Sequence, residues 1–471
     1  MRRAVFSAVT LAAVLSSAPP LRAAEELPRG TLIERVACAS DAKQTYALFL
    51  PSAYVATRSW PILYVFDPSA RGARAVAAFQ KAAQANGLIV AGSNNSQNGP
   101  VLASLAAAEA VLNDTHSRLS IDDRRVFLSG FSGGARVACL IGLKLPKTVA
   151  GVIGCGAGFP DDQPPSRETR FAFFGVVGDR DFNYRELKSL DQTLEKLGLP
   201  HGMTVFPGPH QWPPEPECLE AIEWMRIHEM SAGIARDDAL AETVFQKRLG
   251  RAKERETSGK ILEAEREYAS IARDFGALRD VSATAGRAAE LQKDPRLPKL
   301  LAAEQKRLTT EESEQRRIDD VLAFSQANVV PVSALVRDLR INELKKRTQS
   351  ADRDDACSAE RLLASIFGRT SYYFAGEALE KKEYSRAIYF LTVATEVRPE
   401  YALAWYNRAC GFARAGNRKK ALEDLRVAVE KGFHDRTLME KDPDLASLKD
   451  DTAFAEILRG IPDTATPASK S

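Results

Sequence analysis

Near residue 232 the chain changes texture, and that break constrains its folding more than anything else in the sequence. Before it, eight short apolar runs (30–38, 44–50, 62–66, 88–92, 126–129, 150–155, 171–178 and 203–206) alternate with helical patterns (71–85, 101–119, 133–143, 185–197 and 217–230). After it, glycine thins, charge rises and strand-like runs vanish. The first two runs are joined by 39–43 alone, too short for a crossover, whereas most later ones are separated by whole helices. A short link favours antiparallel neighbours and a crossover helix favours parallel ones. The pattern therefore predicts a mostly parallel eight-stranded sheet with an antiparallel start, followed by an all-α helical domain. At 471 residues, 45% hydrophobic and 27% charged, the chain can bury two cores.

The fifth run leads into Gly130-Phe131-Ser132-Gly133-Gly134, and a helical stretch follows at once. A serine on so tight a strand-to-helix turn sits at strained φ/ψ, and flanking glycines let strand and helix approach. Its hydroxyl then stands clear of the sheet, while the Gly133 N–H opens a helix and points where an oxyanion would form. The five letters are weak evidence alone; the strand before, the helix after, and an acid and a histidine downstream give them weight.

Five histidines compete for the base. His116 lies upstream of the serine in a helical pattern, His434 in the helical half, His228 on an amphipathic helix, and His201 before a strand-like run. His210 follows the last strand on the loop Pro207-Gly208-Pro209-His210-Gln211-Trp212, where the base belongs in the order Ser, acid, His. The acid should end the preceding strand, at Asp179-Arg180-Asp181. Asp181 is preferred, because the Gly178-to-Asp181 spacing lets the chain leave the sheet before the carboxylate turns back. Asp179 is the alternative acid, or a turn cap. The second oxyanion donor is sought after the third strand, in Asp67-Pro68-Ser69. Pro68 has no N–H, which leaves Ser69 ahead of Asp67.

Residues 30–230 resemble the α/β-hydrolase superfamily, in particular the secreted esterases that include polyhydroxyalkanoate depolymerase-like and feruloyl-esterase-like enzymes. The matching stretches are 44–54, the segment 121–126 leading into the elbow, and the His210-Gln211-Trp212-Pro213-Pro214 loop. The resemblance implies Ser132 as nucleophile, Asp181 as acid and His210 as base, in acyl transfer without a cofactor or metal. It departs at the oxyanion loop, where Asp67-Pro68 replaces the family's usual His-Gly. The 156–170 connection is too short for a lid domain, which suits an ester substrate that is bulky or polymer-attached. The polar run Asn94-Asn95-Ser96-Gln97-Asn98-Gly99 falls near the expected mouth, as a subsite or as plain surface.

Arg2-Arg3, the apolar stretch 4–15 and the small residues near Ala23 and Ala24 predict a signal peptide over 1–24, and hence a secreted or periplasmic protein with no stable membrane insertion after cleavage. Six cysteines allow bridges in such a compartment, Cys139 with Cys155 among them, or are small core residues. No spacing suggests a metal. A net charge of +3 gives no reason to expect nucleic acid.

The domains expected are a hydrolase unit over 25–232, a charged helical region over 233–365, helical repeats over 366–460 and a disordered tail over 461–471. In the second of these, apolar residues recur at helical spacing (Ile261, Ala264, Tyr268, Ile271, Phe275), the mark of amphipathic helices. In the third, residues repeat with a period of 34: Tyr372 with Tyr406, Ala387 with Ala421, Leu391 with Leu425, Ala394 with Ala428. This resembles the tetratricopeptide family, whose stacked helix pairs imply a protein partner. A prop for the hydrolase is the other reading. Three functions follow: an exported serine esterase, a serine peptidase on the same residues, or an inactive hydrolase fold that binds through its repeats.

Overall fold

The computed structural model describes residues 27–328 and 330–461. The expected signal peptide and residues 462–471 of the expected tail lie outside the described residues; Ile461, counted with that tail, is buried.

Eight strands form one sheet: β1 (Leu32–Ala37), β2 (Thr45–Phe49), β3 (Trp60–Phe66), β4 (Ile89–Ser93), β5 (Ile121–Phe131), β6 (Val149–Cys155), β7 (Ala172–Gly178) and β8 (His201–Phe206). Their spatial order is β1-β2-β4-β3-β5-β6-β7-β8. β2 runs antiparallel to β1 and β4, and every other pair is parallel. Helices α1 (Gly72–Asn86), α2 (Val101–Arg118), α3 (Gly133–Lys144), α4 (Tyr184–Leu197) and α5 (Glu215–Ser231) connect or follow these strands. The fold is that of an α/β-hydrolase.

β3 and β7 are buried at every position, which explains their unbroken apolar sequences. Tyr46, Tyr64, Phe66 and Leu128 belong to the cluster on one face, and Phe49, Val65, Phe79 and Trp212 to the cluster on the other. Full burial of side chains of this size stabilises by about 1.5–3 kcal/mol each. β5 begins at Ile121, five residues before the run read from sequence, because Asp122–Arg125 extend the strand past the buried sheet. Apolar patterning sees only the buried end.

The second half holds α6 (Asp238–Thr257), α7 (Ile261–Phe275), α8 (Ser282–Leu291), α9 (Leu297–Ala327), α10 (Val332–Asp338), α11 (Ile341–Arg347) and α12 (Arg353–Gly368). A π-helical turn (Arg369–Phe374) leads into α13 (Ala375–Glu380), then α14 (Tyr384–Val397), α15 (Ala402–Arg414) and α16 (Arg418–Glu430), with shorter helices to Gly460. Ile261, Ala264, Tyr268, Ile271 and Phe275 are buried and share a core with Ile227 and Met230 of α5, so the last hydrolase helix is also the first support of the helical half. Along the 34-residue period Ala387, Leu391 and Ala394 match Ala421, Leu425 and Ala428 in burial. Tyr372 and Tyr406 do not match: Tyr406 is 3% exposed, Tyr372 58%. Tyr372 sits on the π-helical turn, whose wider i→i+5 closure shifts the helical phase and turns that ring outward. Cys139 and Cys155 are both buried and unbridged.

Candidate active site

The end of β5 forces Ser132 to φ 53°, ψ −120°, a conformation costing on the order of 1–3 kcal/mol in an L residue. Its neighbours hold it there. The Ser132 N–H donates to the Cys155 carbonyl (2.8 Å), and its own carbonyl accepts from the Ala135 N–H (3.0 Å). A β-carbon at Gly134 would collide with the Phe66 carbonyl, so only glycine lets α3 start against the end of β3. Gly133, the first residue of α3, has no intrahelical acceptor for its N–H. The nearby Cys155 thiol is no rival nucleophile, since burial pushes it up to about 12.

His210 Nε2 lies 2.9 Å from Ser132 Oγ, and His210 Nδ1 lies 2.8 Å from both Asp181 carboxylate oxygens. The structure thus brings Ser132, His210 and Asp181 into one hydrogen-bonded chain from three separate loops. Asp181 is fully buried and is held by the Asn183 N–H (2.8 Å). The imidazole is flanked by Phe131 (4.5 Å between ring centroids) and Phe182 (4.2 Å), which fix its plane. Neither phenylalanine was singled out from sequence, although one lies inside the elbow and the other beside the acid.

Asp179 does not face the imidazole. It ties the acid turn to the base loop, its carboxylate accepting from the Gly208 N–H (3.0 Å) and its N–H donating to the Phe206 carbonyl (2.8 Å). The other four histidines stand elsewhere: His116 against Tyr64, His228 stacked on Trp224, His201 beside the Leu199 carbonyl, and His434 just after α16 in the helical half.

The loop after β3 corrects the sequence reading. Ser69, expected to donate its N–H to an oxyanion, directs it at Asp67 Oδ1 (2.8 Å). The Asp67 carboxylate is wholly buried and also takes Arg71 (2.9 and 3.0 Å) and the Trp212 indole N–H (2.9 Å), bonds that leave the backbone N–H of Asp67, the alternative donor, unengaged. Two residues past the base, Trp212 is thereby anchored to the loop across the site. Burial pushes the Asp67 carboxyl up, but Arg71, Trp212 and the Ser69 N–H together hold it below its ordinary value. A carboxylate lowered in this way stabilises the fold above the ordinary aspartate pKa of about 3.9, and the gain is lost as pH falls through the lowered native value. Asp67→Asn is expected to cost about 1.5–3 kcal/mol at pH 7, with the gap to wild type closing below about pH 4. Urea unfolding at pH 7 and pH 3 measures both.

The helical half is docked on the acid turn. Arg361 of α12 donates to the Asp179 carbonyl (2.6 Å), lies over the Tyr184 ring, and pairs with buried Glu311 of α9 (Nε to Oε1, 2.8 Å). Arg353 reaches Asp179 Oδ2 (2.7 Å), and Arg180 reaches Glu360 (3.3 Å). A cleft of about 940 Å³ lies between α4 and these helices, with Phe182 in its wall. The sequence offered a prop for the hydrolase as one reading of the helical half, but it did not single out these pairs. Arg361→Ala leaves Glu311 buried without a partner and is expected to cost about 3–5 kcal/mol, most of it recovered in Arg361→Met with Glu311→Leu. Denaturant titration of both variants checks this.

No protein-family model matches the chain, and no curated protein matches it. Similar solved structures include an S-formylglutathione hydrolase from Staphylococcus aureus (15% identity over 39% of this chain and 90% of that one, TM-score 0.31). Another is a substrate-bound, fluorophosphonate-binding serine hydrolase of the same organism (13% identity, 42% and 99%, TM-score 0.34). A third is a feruloyl esterase module from Clostridium thermocellum complexed with sinapinate (13% identity, 39% and 82%, TM-score 0.30). Each likeness covers about two fifths of this chain, and the scores are low enough that the functional reading rests on the geometry.

Proposed function

We propose that the chain is an exported serine hydrolase that cleaves carboxylic esters through an acyl-enzyme. The observation carrying this reading is the hydrogen-bonded run from Ser132 Oγ through His210 to Asp181 at a strained strand-to-helix turn. A hydroxyl, a base within reach and a buried carboxylate orienting that base are the parts nucleophilic catalysis requires.

His210 Nε2 takes the Ser132 proton as Oγ bonds to the ester carbonyl carbon, and the carbonyl electron pair moves onto oxygen. The Gly133 N–H, at the positive end of α3, faces that charge. When the intermediate collapses, the C–O bond to the leaving alcohol breaks and the alkoxide takes the proton from His210. Water then repeats the sequence on the acyl-enzyme, with His210 again as base, and releases the acid. Asp181 holds the imidazole in the tautomer with its proton on Nδ1 and stabilises the imidazolium without taking the proton.

The loop between β6 and β7 carries no lid helix, which favours bulky or polymer-attached esters. Export rests on the sequence of residues 1–24, and a secreted product beginning just after Ala23 or Ala24 is its test. For the helical half, the contacts of Arg361, Arg353 and Glu360 with the acid turn favour a brace, with the tetratricopeptide-like repeats beyond it as the proposed partner surface. The full chain should turn over p-nitrophenyl esters and leave peptide substrates intact. Peptide cleavage at comparable rates would favour a peptidase; a folded chain inert on both would favour a scaffold.

A further inference from the structure

A tetrahedral oxyanion is held well only by at least two donors, and removing one typically costs ~10²–10³ in rate. The Gly133 N–H is one. In the loop after β3, Pro68 has no N–H, the Ser69 N–H goes to the Asp67 carboxylate (2.8 Å) and the Ala70 N–H goes to the Asp67 carbonyl (3.2 Å), which leaves the Asp67 N–H as the backbone candidate there.

Asn98 offers a side-chain donor against Gly133. Its side-chain amide covers Gly133: a β-carbon there would collide with Asn98 Oδ1 and lie 2.9 Å from Cγ and 3.5 Å from Nδ2. Glycine at 133 is therefore what admits this amide beside the free N–H. The backbone of Asn98 is pinned. Its N–H donates to the Pro68 carbonyl (2.8 Å), Gln97 bridges to Ser69, and Ser104 Oγ donates to the Gln97 carbonyl (2.9 Å). Among the described residues no hydrogen bond engages the Asn98 amide itself, whereas Asn94 and Asn95 use theirs on the carbonyls of Glu34 and Lys43.

We propose that the Asn98 side-chain amide is the second oxyanion donor, a catalytic residue in the reaction proposed above and dependent on that reading. Oδ1 is the amide atom nearest Gly133 at rest, and rotation about Cβ–Cγ exchanges it with Nδ2 within the same volume. When Ser132 Oγ bonds to the carbonyl carbon and the π pair moves onto oxygen, that oxygen accepts from the Gly133 N–H and from Asn98 Nδ2. Both bonds strengthen with the developing charge, so the contribution falls on kcat rather than on KM. An amide side chain thus does the work expected of the backbone in the Asp67-Pro68 loop.

The test is steady-state hydrolysis of a p-nitrophenyl ester by the full chain carrying Asn98→Ala and, separately, the near-isosteric Asn98→Asp. Expected for both is a kcat at least 100-fold lower with KM within threefold of wild type, and an unchanged melting midpoint. Asn98→Asp should be no better than Asn98→Ala, since a carboxylate repels the oxyanion. A kcat within threefold of wild type in either variant overturns the proposal, as does a loss confined to KM or one that tracks a lowered melting midpoint. Failure of the parent reading is distinguishable: there wild type itself shows no turnover dependent on Ser132, and the assignment of Asn98 falls with it.

Discussion

Ser132→Ala lowers kcat for ester hydrolysis by about 10⁶, with KM little changed and the fold intact. The size follows from the role. Without Oγ there is no acyl-enzyme, and His210 and Asp181 have nothing to activate, so loss of one member resembles loss of all three. What survives comes from binding and the oxyanion donors. Ser132 is only partly buried and, among the described residues, its hydroxyl bonds to His210 alone, so truncation leaves no buried polar group stranded. Alanine at φ 53° carries the same backbone strain as serine, and circular dichroism and melting should stay close to wild type. A melting transition of wild-type midpoint and cooperativity separates this result from a partly unfolded sample.

Asp181→Asn is expected to lower kcat by about 10⁴ while leaving the structure in place. Both Asp181 oxygens lie 2.8 Å from His210 Nδ1, so the carboxylate fixes the proton on Nδ1 and leaves the Nε2 lone pair facing Ser132. An asparagine turned to donate to Nδ1 moves the proton to Nε2, where the imidazole can no longer accept from the serine. The Asn183 N–H still finds an oxygen at position 181, so the turn keeps its shape. Asp179→Asn should do far less to kcat, because its carboxylate braces Gly208 and Arg353 rather than the imidazole. The ratio of the two losses tells orientation of the base from general disturbance of the loop.

The features legible in the sequence were those with a local cause. β3 and β7 read as strands because both faces are buried, and the elbow because glycine is what a strand-helix contact of that closeness demands. Asp181 and His210 could be located because each follows a strand on a turn of definite grammar. Ser69 could not be judged that way. Whether its N–H is free depends on where the Asp67 carboxylate points, which Trp212, 145 residues away, helps decide. Arg361 and Glu311 read as two more charges on helical faces, and only the packing of α9 and α12 on the acid turn buries them. Tyr372 was aligned with Tyr406 by period alone, and the π-helical turn that separates their environments has no sequence signature of its own.

The account stands or falls on one hydroxyl becoming a nucleophile, and covalent labelling reads that directly. Full-length protein treated with a fluorophosphonate and digested should yield one modified peptide, phosphonylated at Ser132. The label should vanish in Ser132→Ala and form much more slowly in His210→Ala. Equal labelling of wild type and Ser132→Ala, or modification at another serine, would contradict it.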